Sequence, residues 1–245
     1  RMKLKDKTAI VTGGAQGIGR GIAIRFAEEG ANVVVADLNV EGAETVAFEI
    51  KENGGQALSI GADVGESGEV DRLIKSTLDK FQRVDILVNN AAYIKKLPFL
   101  EITEEDWDKI IKVSLKGYFL CSQAAARVMS ENSGGRIINI ASMVGAIAHA
   151  GLSAYAVAKA GVIAMTKQIG TELHKHNINV NAIAPGPIST ALMNKVMGSL
   201  GRSDVPKSAV KEPDDVAEVA VYLGSDDSRQ IYGNVLSVGG GGLMG

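Results

Sequence analysis

The sequence predicts an α/β fold in which a single parallel sheet is covered by helices on both faces. Short apolar runs rich in Val and Ile alternate along the chain with longer segments of helical periodicity. The apolar runs are continuous, which is typical of parallel strands that are buried on both faces. Ligands bind such doubly wound sheets at the carboxyl ends of the strands. We therefore expect the functional residues in the loops that follow the strands.

Seven strands and six helices are predicted in alternation. The strands cover residues 8–11, 32–36, 57–60, 86–88, 136–140, 179–184 and 235–238. The helices cover residues 17–29, 40–52, 67–81, 104–130, 153–174 and 213–223. One domain of this kind can take up all 245 residues around a single core, so we expect no division of residues 1–245.

The segment 187–211 follows neither pattern. It is broken by glycine and proline, yet some of its apolar residues keep a helical spacing. These residues are Leu192, Met193, Val196, Met197 and Leu200. A long irregular segment inside a compact domain usually has a function. We interpret it as a lid over the substrate, with a disordered insertion as the alternative.

Composition excludes several classes of protein. A net charge of -2 and the absence of a basic run argue against a nucleic-acid partner. No stretch reaches the roughly 18 apolar residues that cross a bilayer, and no signal peptide is evident, so a cytoplasmic location without membrane contact is expected. The single Cys121 excludes an intrachain disulfide and a cysteine-based zinc cluster. It is expected to be a buried thiol, and we predict no metal site.

A glycine-rich turn lies between the first strand and the first helix. In Thr12-Gly-Gly-Ala-Gln-Gly-Ile-Gly19, Gly13 permits a tight turn, Gly17 lets the backbone approach a pyrophosphate, and Gly19 allows close helix packing. The amino terminus of the helix attracts the negative charge. By spacing alone, an ordinary tight turn is the alternative.

Asp37 ends the second strand about twenty residues after these glycines, where a carboxylate accepts hydrogen bonds from a ribose diol and repels a 2′-phosphate. Neither Gln16 nor Leu38 supplies the cation that a 2′-phosphate would need. NAD is therefore predicted over NADP. A simple turn residue at the strand end is the alternative for Asp37.

Three side chains form a candidate catalytic group. Ser142 closes the fifth strand, and the spacing of Tyr155 and Lys159 places these two on one face of a helix. A free phenol has a pKa near 10, but a lysine cation and an oxidised nicotinamide favour the phenolate. Ser142 is suited to hold the substrate oxygen as its charge changes.

Several short motifs follow one another in order along the chain. They are the turn 12–19, Asp63, Asn89-Asn90-Ala91, Ser142, Tyr155-x-x-x-Lys159 and Pro185-Gly186-Pro187-Ile188-Ser189-Thr190. Together they resemble the classical short-chain dehydrogenases/reductases over nearly the whole chain. The resemblance implies a Rossmann-type sheet of about seven parallel strands. It also implies that Tyr155 is the general acid/base, that Ser142 orients the substrate oxygen, and that Lys159 binds the nicotinamide ribose and lowers the Tyr155 pKa.

The resemblance also implies individual cofactor contacts: Asp63 and Val64 with the adenine, Asn90 and Ala91 with the ribose, and Ile188 and Thr190 with the nicotinamide carboxamide. The alternatives are a helix cap for Asp63 and a turn end for Thr190. The complete expected cofactor site is Gly13, Gln16, Gly17, Ile18, Gly19, Asp37, Leu38, Asp63, Val64, Asn90, Ala91, Tyr155, Lys159, Pro185, Gly186, Ile188 and Thr190.

Three positions depart from the family pattern. Ser114 stands where the family usually has a catalytic asparagine that anchors a water of the proton relay. A hydroxyl has fewer donors and a shorter reach than an amide, so we include Ser114 in the catalytic set and expect slowed turnover. An NAD-binding regulatory or structural protein with weakened catalysis is the alternative function. Ala92 stands where the family usually has a glycine, and the glycines at 239–242 stand where it usually has an Asp-Gly-Gly ending. We expect both departures to have little effect on the reaction.

The expected reaction is NAD-dependent hydride transfer between a secondary alcohol and a ketone. The loops 93–98 and 143–152 and the lid are mostly apolar, which favours a hydrophobic substrate. His149, Lys95 and Lys96 leave open a polar or anionic one. The resemblance further implies a homo-oligomer, usually a tetramer, built on the fifth and sixth helices and the last strand. Packing of these helices within one chain is the alternative.

Overall fold

A computed structural model describes residues 2–190 and 210–239, and these residues form a sheet of seven parallel strands. The strands are β1 (Thr8–Thr12), β2 (Asn32–Asp37), β3 (Gln56–Gly61), β4 (Ile86–Asn89), β5 (Gly135–Ile140), β6 (Ile178–Pro185) and β7 (Val235–Val238). The α-helices are α1 (Gly17–Glu28), α2 (Val40–Glu52), α3 (Ser67–Phe81), α4 (Glu104–Ile111), α5 (Gly117–Glu131), α6 (Ser153–Leu173) and α7 (Pro213–Gly224).

The strand order is β3-β2-β1-β4-β5-β6-β7, and every neighbouring pair is parallel. The chain winds outward from β1 in one direction and from β4 in the other. The predicted doubly wound sheet is confirmed. The order reverses between β1 and β4, so the carboxyl ends of these two strands open a crevice at the topological switch point.

Both faces of the sheet carry a hydrophobic core, because the strands are apolar at successive positions. One core places Ile22 and Phe26 of α1 beside Val216 of α7. The other places Leu73 of α3 beside Cys121 of α5. Burial raises the pKa of Cys121 to about 12, so this thiol is a core side chain, as its apolar surroundings in the sequence predicted.

The predicted helix at 104–130 has an interruption that its periodicity did not reveal. Between α4 and α5 the chain forms one π-helical turn, Lys112–Lys116. The buried Ser114 lies within this turn, and its hydroxyl bonds to the backbone of the loop after β4. Single π turns of this kind are frequent at functional sites. The turn rotates the side chains of α5 relative to a straight helix.

The ends of the segment predicted as a lid lie side by side. The Ser189 N–H donates to the Lys211 carbonyl at 2.7 Å, and the Lys211 N–H donates to the Pro187 carbonyl at 2.9 Å. The apolar residues from Leu192 to Leu200 lie outside the described residues, as do the glycines at 240–242, so the lid remains a prediction. No helix in the described ranges is both long and apolar enough to span a lipid bilayer.

Candidate active site

The glycine-rich turn connects β1 to α1 at the switch point. Gly13 and Gly17 have φ values of 64° and 55°, a region that favours glycine. A Cβ at Gly13 would lie 2.8 Å from the Ala91 Cα, and a Cβ at Gly17 would lie 3.3 Å from the Thr190 Cγ2. The turn is therefore a backbone surface without room for side chains, as a closely approaching ligand needs.

Asn90, which follows β4, holds this turn in place. Its Nδ2 donates to the carbonyl oxygens of Thr12 and Gly13 at 3.0 and 2.9 Å. Its backbone N–H donates to the Thr12 Oγ1 at 3.0 Å, and that hydroxyl donates to the Val88 carbonyl. These bonds join the carboxyl ends of the two strands that border the crevice.

The first turn of α1 suits an anionic ligand. The residue before the helix, Gln16, makes no side-chain cap, and the first turn contains no acidic residue. The helix therefore leaves its amino-terminal N–H groups and its positive dipole end to a bound group. These features fit the pyrophosphate of a dinucleotide.

Asp37 lies at the end of β2, facing the same turn. One carboxylate oxygen accepts from the Ala15 N–H and the other accepts from the Asn39 N–H, both at 2.9 Å. Each oxygen retains a lone pair, because a carboxylate accepts about four hydrogen bonds. The side chain is thus fixed in orientation and can still accept from a ribose hydroxyl.

Asp63 lies in the loop after β3 and accepts from the Gly65 N–H at 2.9 Å. It also faces Lys112 at 3.6 Å, and that lysine pairs with Glu66 at 2.5 Å. Asp63 does not cap a helix, because the residue that precedes α3 is Glu66.

A cleft brings most of the predicted cofactor residues together. The predicted residues that line it are Gly13, Gln16, Gly17, Ile18, Asp37, Leu38, Asp63, Val64, Asn90, Ala91 and Thr190. Four other predicted residues are not part of its lining. Gly19 and Ile188 are buried, Pro185 ends β6, and the Gly186 N–H bonds to the Val238 carbonyl.

The cleft is also lined by five residues that the sequence analysis had not assigned to the cofactor: Ala62, Ala92, Tyr93, Lys109 and Val113. Ala92 and Tyr93 lie in the loop that follows β4, and functional residues were expected in the loops after the strands. The ammonium of Lys109 lies 4.5 Å from the Tyr93 ring centroid. Lys109 carried no local signal, because it reaches the cleft from α4.

The predicted catalytic side chains meet beside this cleft. Ser142 follows β5, and its hydroxyl accepts from the Val144 N–H at 3.2 Å. Tyr155 lies in the first turn of α6, and its phenol is near enough to the Ser142 side chain for that serine to act on its pKa. It packs in the same cluster as Tyr93, which lines the cleft. The phenol and the serine hydroxyl therefore adjoin the expected cofactor site.

The Tyr155 phenol is not acidified by its protein surroundings. Burial is the largest effect and raises its pKa to about 12, while the hydrogen bond with Ser142 acts in the opposite direction. The sequence analysis expected Lys159 to lower this pKa. The Lys159 ammonium lies 5.6 Å from the Tyr155 ring centroid and bonds to other atoms, so this role of Lys159, with a bound nicotinamide, stays a prediction.

Lys159 is almost completely buried and bonds to two groups. Its Nζ donates to the Tyr118 phenol at 2.9 Å and to the Ile140 carbonyl at 2.7 Å. Burial lowers its pKa to about 7. No carboxylate forms an ion pair with Lys159 within residues 2–190 and 210–239. The sequence analysis missed Tyr118, because an aromatic residue in an apolar helix is expected to be part of the hydrophobic core.

Ser114 occupies the π turn and is fully buried. Its hydroxyl donates to the Tyr93 carbonyl and accepts from the Tyr93 N–H, both at 3.0 Å. A hydroxyl has one hydrogen to donate, so its donor is already used by the loop. The arrangement connects Ser114 to the cleft wall rather than to Lys159.

Comparison with known proteins decides the family. A family model described as enoyl-(acyl carrier protein) reductase matches residues 13–242. The chain belongs to the short-chain dehydrogenase/reductase family. The resemblance predicted from the motifs is therefore confirmed. As a member of this family, the protein is an oxidoreductase that uses a nicotinamide cofactor.

The similar proteins span the whole chain. A (2S)-[(R)-hydroxy(phenyl)methyl]succinyl-CoA dehydrogenase subunit of Thauera aromatica is 41% identical over 243 residues, which are 98% of each chain. A 3-oxoacyl-[acyl-carrier-protein] reductase of Synechocystis is 39% identical, again over 98% of each chain.

Solved structures of the family share the fold. A 7 alpha-hydroxysteroid dehydrogenase in complex with NADH and 7-oxo glycochenodeoxycholic acid superposes with a TM-score of 0.91 at 34% identity, covering 100% of this chain and 97% of that one. Levodione reductase gives a TM-score of 0.92 at 30% identity, covering 97% and 98%. The architecture of this short-chain dehydrogenase/reductase is thus that of enzymes acting on chemically different ketones.

Proposed function

We propose that the protein transfers hydride between NAD and a secondary alcohol or ketone. The observation that carries this proposal is the proximity of the Ser142 hydroxyl, after β5, to the Tyr155 phenol, which packs with Tyr93 of the cleft wall. Two neighbouring hydroxyl groups on rigid elements are suited to hold a single substrate oxygen, with one donating a proton and the other a hydrogen bond.

In the proposed reaction, the bound nicotinamide supplies the hydride for reduction and takes it up in oxidation. Tyr155 donates its proton to the carbonyl oxygen during reduction and removes the hydroxyl proton during oxidation. Ser142 donates a hydrogen bond to the same oxygen and stabilises its developing charge. The phenol, whose pKa burial raises from 10.0 to about 12, is protonated at neutral pH and can therefore serve as the acid in reduction.

NAD is the proposed cofactor because of the charge at Asp37. The carboxylate is held by two backbone N–H groups at the end of β2 and would repel a 2′-phosphate. The steroid dehydrogenase with the same fold binds NADH, which supports the same choice.

The proposed substrate class is a 3-hydroxyacyl or 3-oxoacyl thioester. Two relatives at about 40% identity act, by their names, on acyl groups carried by coenzyme A or by acyl carrier protein. Such a substrate is a secondary alcohol or ketone with an anionic carrier. Of the two lysines in the loop after β4, Lys95 pairs with Asp106 at 2.7 Å, so Lys96 is the better candidate of these two for contact with the carrier.

A homo-oligomer is also proposed. The outer faces of α5 and α6 leave Phe119 and Val157 nearly half exposed, at 47% and 48%. Apolar side chains on adjacent helices favour association with a second copy. The measurement is the molar mass by light scattering.

The decisive experiment measures the absorbance of the reduced nicotinamide with NADH and then NADPH. The substrates are acetoacetyl-CoA, crotonyl-CoA and a panel of ketones, with 3-hydroxybutyryl-CoA and secondary alcohols in the reverse direction. The Tyr155→Phe variant keeps the ring and removes the phenol, and Tyr222→Phe on α7 is its matched control.

NADH-dependent reduction of acetoacetyl-CoA that is lost in Tyr155→Phe and kept in Tyr222→Phe supports the proposal. Turnover of crotonyl-CoA alone would show enoyl reduction, which the description of the family model names, and would overturn it. Tight NAD binding with wild-type turnover no faster than that of Tyr155→Phe would favour a binding protein in which Ser114 has weakened catalysis.

A further inference from the structure

A closed triangle of hydrogen bonds surrounds the ammonium of Lys159. The Lys159 Nζ donates to the Tyr118 oxygen at 2.9 Å and to the Ile140 carbonyl at 2.7 Å. The Tyr118 hydroxyl donates to the same Ile140 carbonyl at 3.0 Å. Tyr118 and Lys159 are both 1% exposed. A phenol on α5, a carbonyl at the end of β5 and a lysine on α6 are thus joined under the active site.

We propose that Tyr118 is a positioning residue for the reaction, whose hydroxyl holds the Lys159 ammonium against the Ile140 carbonyl and keeps this lysine charged. The role in the reaction rests on the proposed function. The effect of Tyr118 on the charge of Lys159 does not rest on the proposed function, because it involves only groups of the protein.

The three N–H donors of the Lys159 ammonium are divided between protein groups and the active site. An ammonium has three N–H donors, and two of them bond to Tyr118 and Ile140. The third donor remains for the cofactor or for Tyr155. Removing the Tyr118 oxygen would leave a second donor of a buried cation without its partner, and such donors are costly to bury.

The Tyr118 ring supports the same cation. The Lys159 Nζ lies 4.5 Å from the ring centroid, within the range of a cation–π interaction. Within the described ranges, the groups beside this charge are a phenol oxygen, a carbonyl and the rings of Tyr118 and Tyr155, and no carboxylate pairs with it. Removing the Tyr118 hydroxyl therefore removes one of the two hydrogen-bond partners of this ammonium.

Among the groups that face Lys159, only the lysine titrates near neutral pH. Burial raises the pKa of Tyr118 well above its usual value, so its phenol stays protonated and able to donate to Ile140. Burial also raises the pKa values of Tyr155, on α6, and Cys121, one turn along α5, to about 12 each. Ser142, after β5, is neutral. Lys159, with a pKa of about 7, is poised to gain or lose its charge.

The test is the Tyr118→Phe variant, which keeps the aromatic face and removes only the oxygen. The pKa of Lys159 is measured without cofactor by NMR of the ¹³C-labelled lysine side chain, assigned through Lys159→Met. We expect the pKa of Lys159 to fall by about one unit, because a hydrogen bond to a charged group is lost. With cofactor, the alkaline decrease of kcat for reduction should move to lower pH by a similar amount.

Two comparisons make the result decisive. Tyr222→Phe, on α7, should leave the pKa of Lys159 and the pH profile unchanged. A second variant, Tyr118→Leu, removes the ring together with the hydroxyl and should lower the pKa of Lys159 at least as far; thermal unfolding checks that both variants fold. If the pKa of Lys159 is unchanged in the folded variants, the proposal is overturned. A reduced kcat with an unchanged pKa would show that Tyr118 acts only through packing. If no substrate is turned over, the proposed function fails, and the NMR titration still decides the role of Tyr118.

Discussion

At the scale of single residues, the charge of Asp37 governs the proposed choice of cofactor. Asp37→Asn keeps the shape of the side chain and removes the negative charge, so repulsion of a 2′-phosphate should disappear. We expect the ratio of kcat/KM for NAD over NADP to fall on the order of tenfold to a hundredfold, about 1.4–2.7 kcal/mol. Steady-state kinetics with both cofactors measures this ratio.

Glu41→Gln is the matched control for Asp37, since it removes one negative charge from the exposed first turn of α2. It should leave the ratio unchanged. An Asp37→Asn enzyme that keeps the wild-type ratio would show that the preference has another source.

Ser114 is the second residue whose role is open to direct measurement. Ser114→Ala leaves the Tyr93 N–H and carbonyl without their buried partner, which should lower the free energy of unfolding by about 1–3 kcal/mol. Because Tyr93 lines the cleft, the KM for the cofactor should rise more than kcat falls. Denaturant unfolding and steady-state kinetics separate the two effects.

Ser130→Ala is the control for Ser114, since it removes a serine hydroxyl that bonds locally on the exposed side of α5. A large loss of kcat in Ser114→Ala, with stability unchanged, would instead support the catalytic role expected from the family pattern.

At the scale of elements, the strands were predictable because each is apolar at successive positions. The six predicted helices begin and end within a residue or two of helical segments in the structure, with one difference in kind. The π turn at Lys112–Lys116 preserves the apolar character of its helix, so periodicity does not reveal it. The Ser114 hydroxyl within this turn bonds to the backbone of Tyr93, 21 residues away in sequence, which is a contact that no local pattern contains.

A buried polar network connects four of these elements beneath the site. The Nδ2 of Asn89 donates to Ser122 and to the Oδ1 of Asn139, at 2.9 and 2.8 Å. The Nδ2 of Asn139 donates to the Thr166 hydroxyl at 2.9 Å. Strands β4 and β5 are thereby joined to α5 and α6, the helices that carry Tyr118 and Lys159.

Asn139→Ala should break this network at its centre. The donors and acceptors left in Asn89 and Thr166 are buried, so we expect the free energy of unfolding to fall by about 2–4 kcal/mol in urea. Asn132→Ala removes a local bond on the exposed end of α5 and should change stability by less than about 0.5 kcal/mol. Equal effects of the two substitutions would contradict the importance of the network.

At the scale of the whole molecule, the site was predictable where its signals are local. The spacing of Tyr155 and Lys159 and the glycines of the turn are short patterns, and the structure brings them to one edge of the sheet. The bond between Tyr118 and Lys159 joins positions 41 residues apart. Its consequence, a lysine with a lowered pKa, depends on burial that no local pattern contains.

This buried lysine should make the stability of the whole fold depend on pH. Burial lowers the pKa of Lys159 from 10.5 to about 7, so between these values the unfolded chain binds more protons and stability rises with pH. Lys159→Met replaces the buried cation by an apolar side chain. We expect the variant to be inactive, and below about pH 7 we expect its free energy of unfolding to exceed that of the wild type by a few kcal/mol.

The gain in Lys159→Met should decrease above that pH and level off above the ordinary lysine pKa of 10.5, where Lys159 is neutral in both the folded and the unfolded wild type. Urea unfolding across this range measures it, with the exposed Lys175→Met as the control that should show no such trend. A Lys159→Met protein that is less stable than the wild type at acidic pH would contradict the inference, because the bonds to Tyr118 and Ile140 would then outweigh the cost of burying the charge.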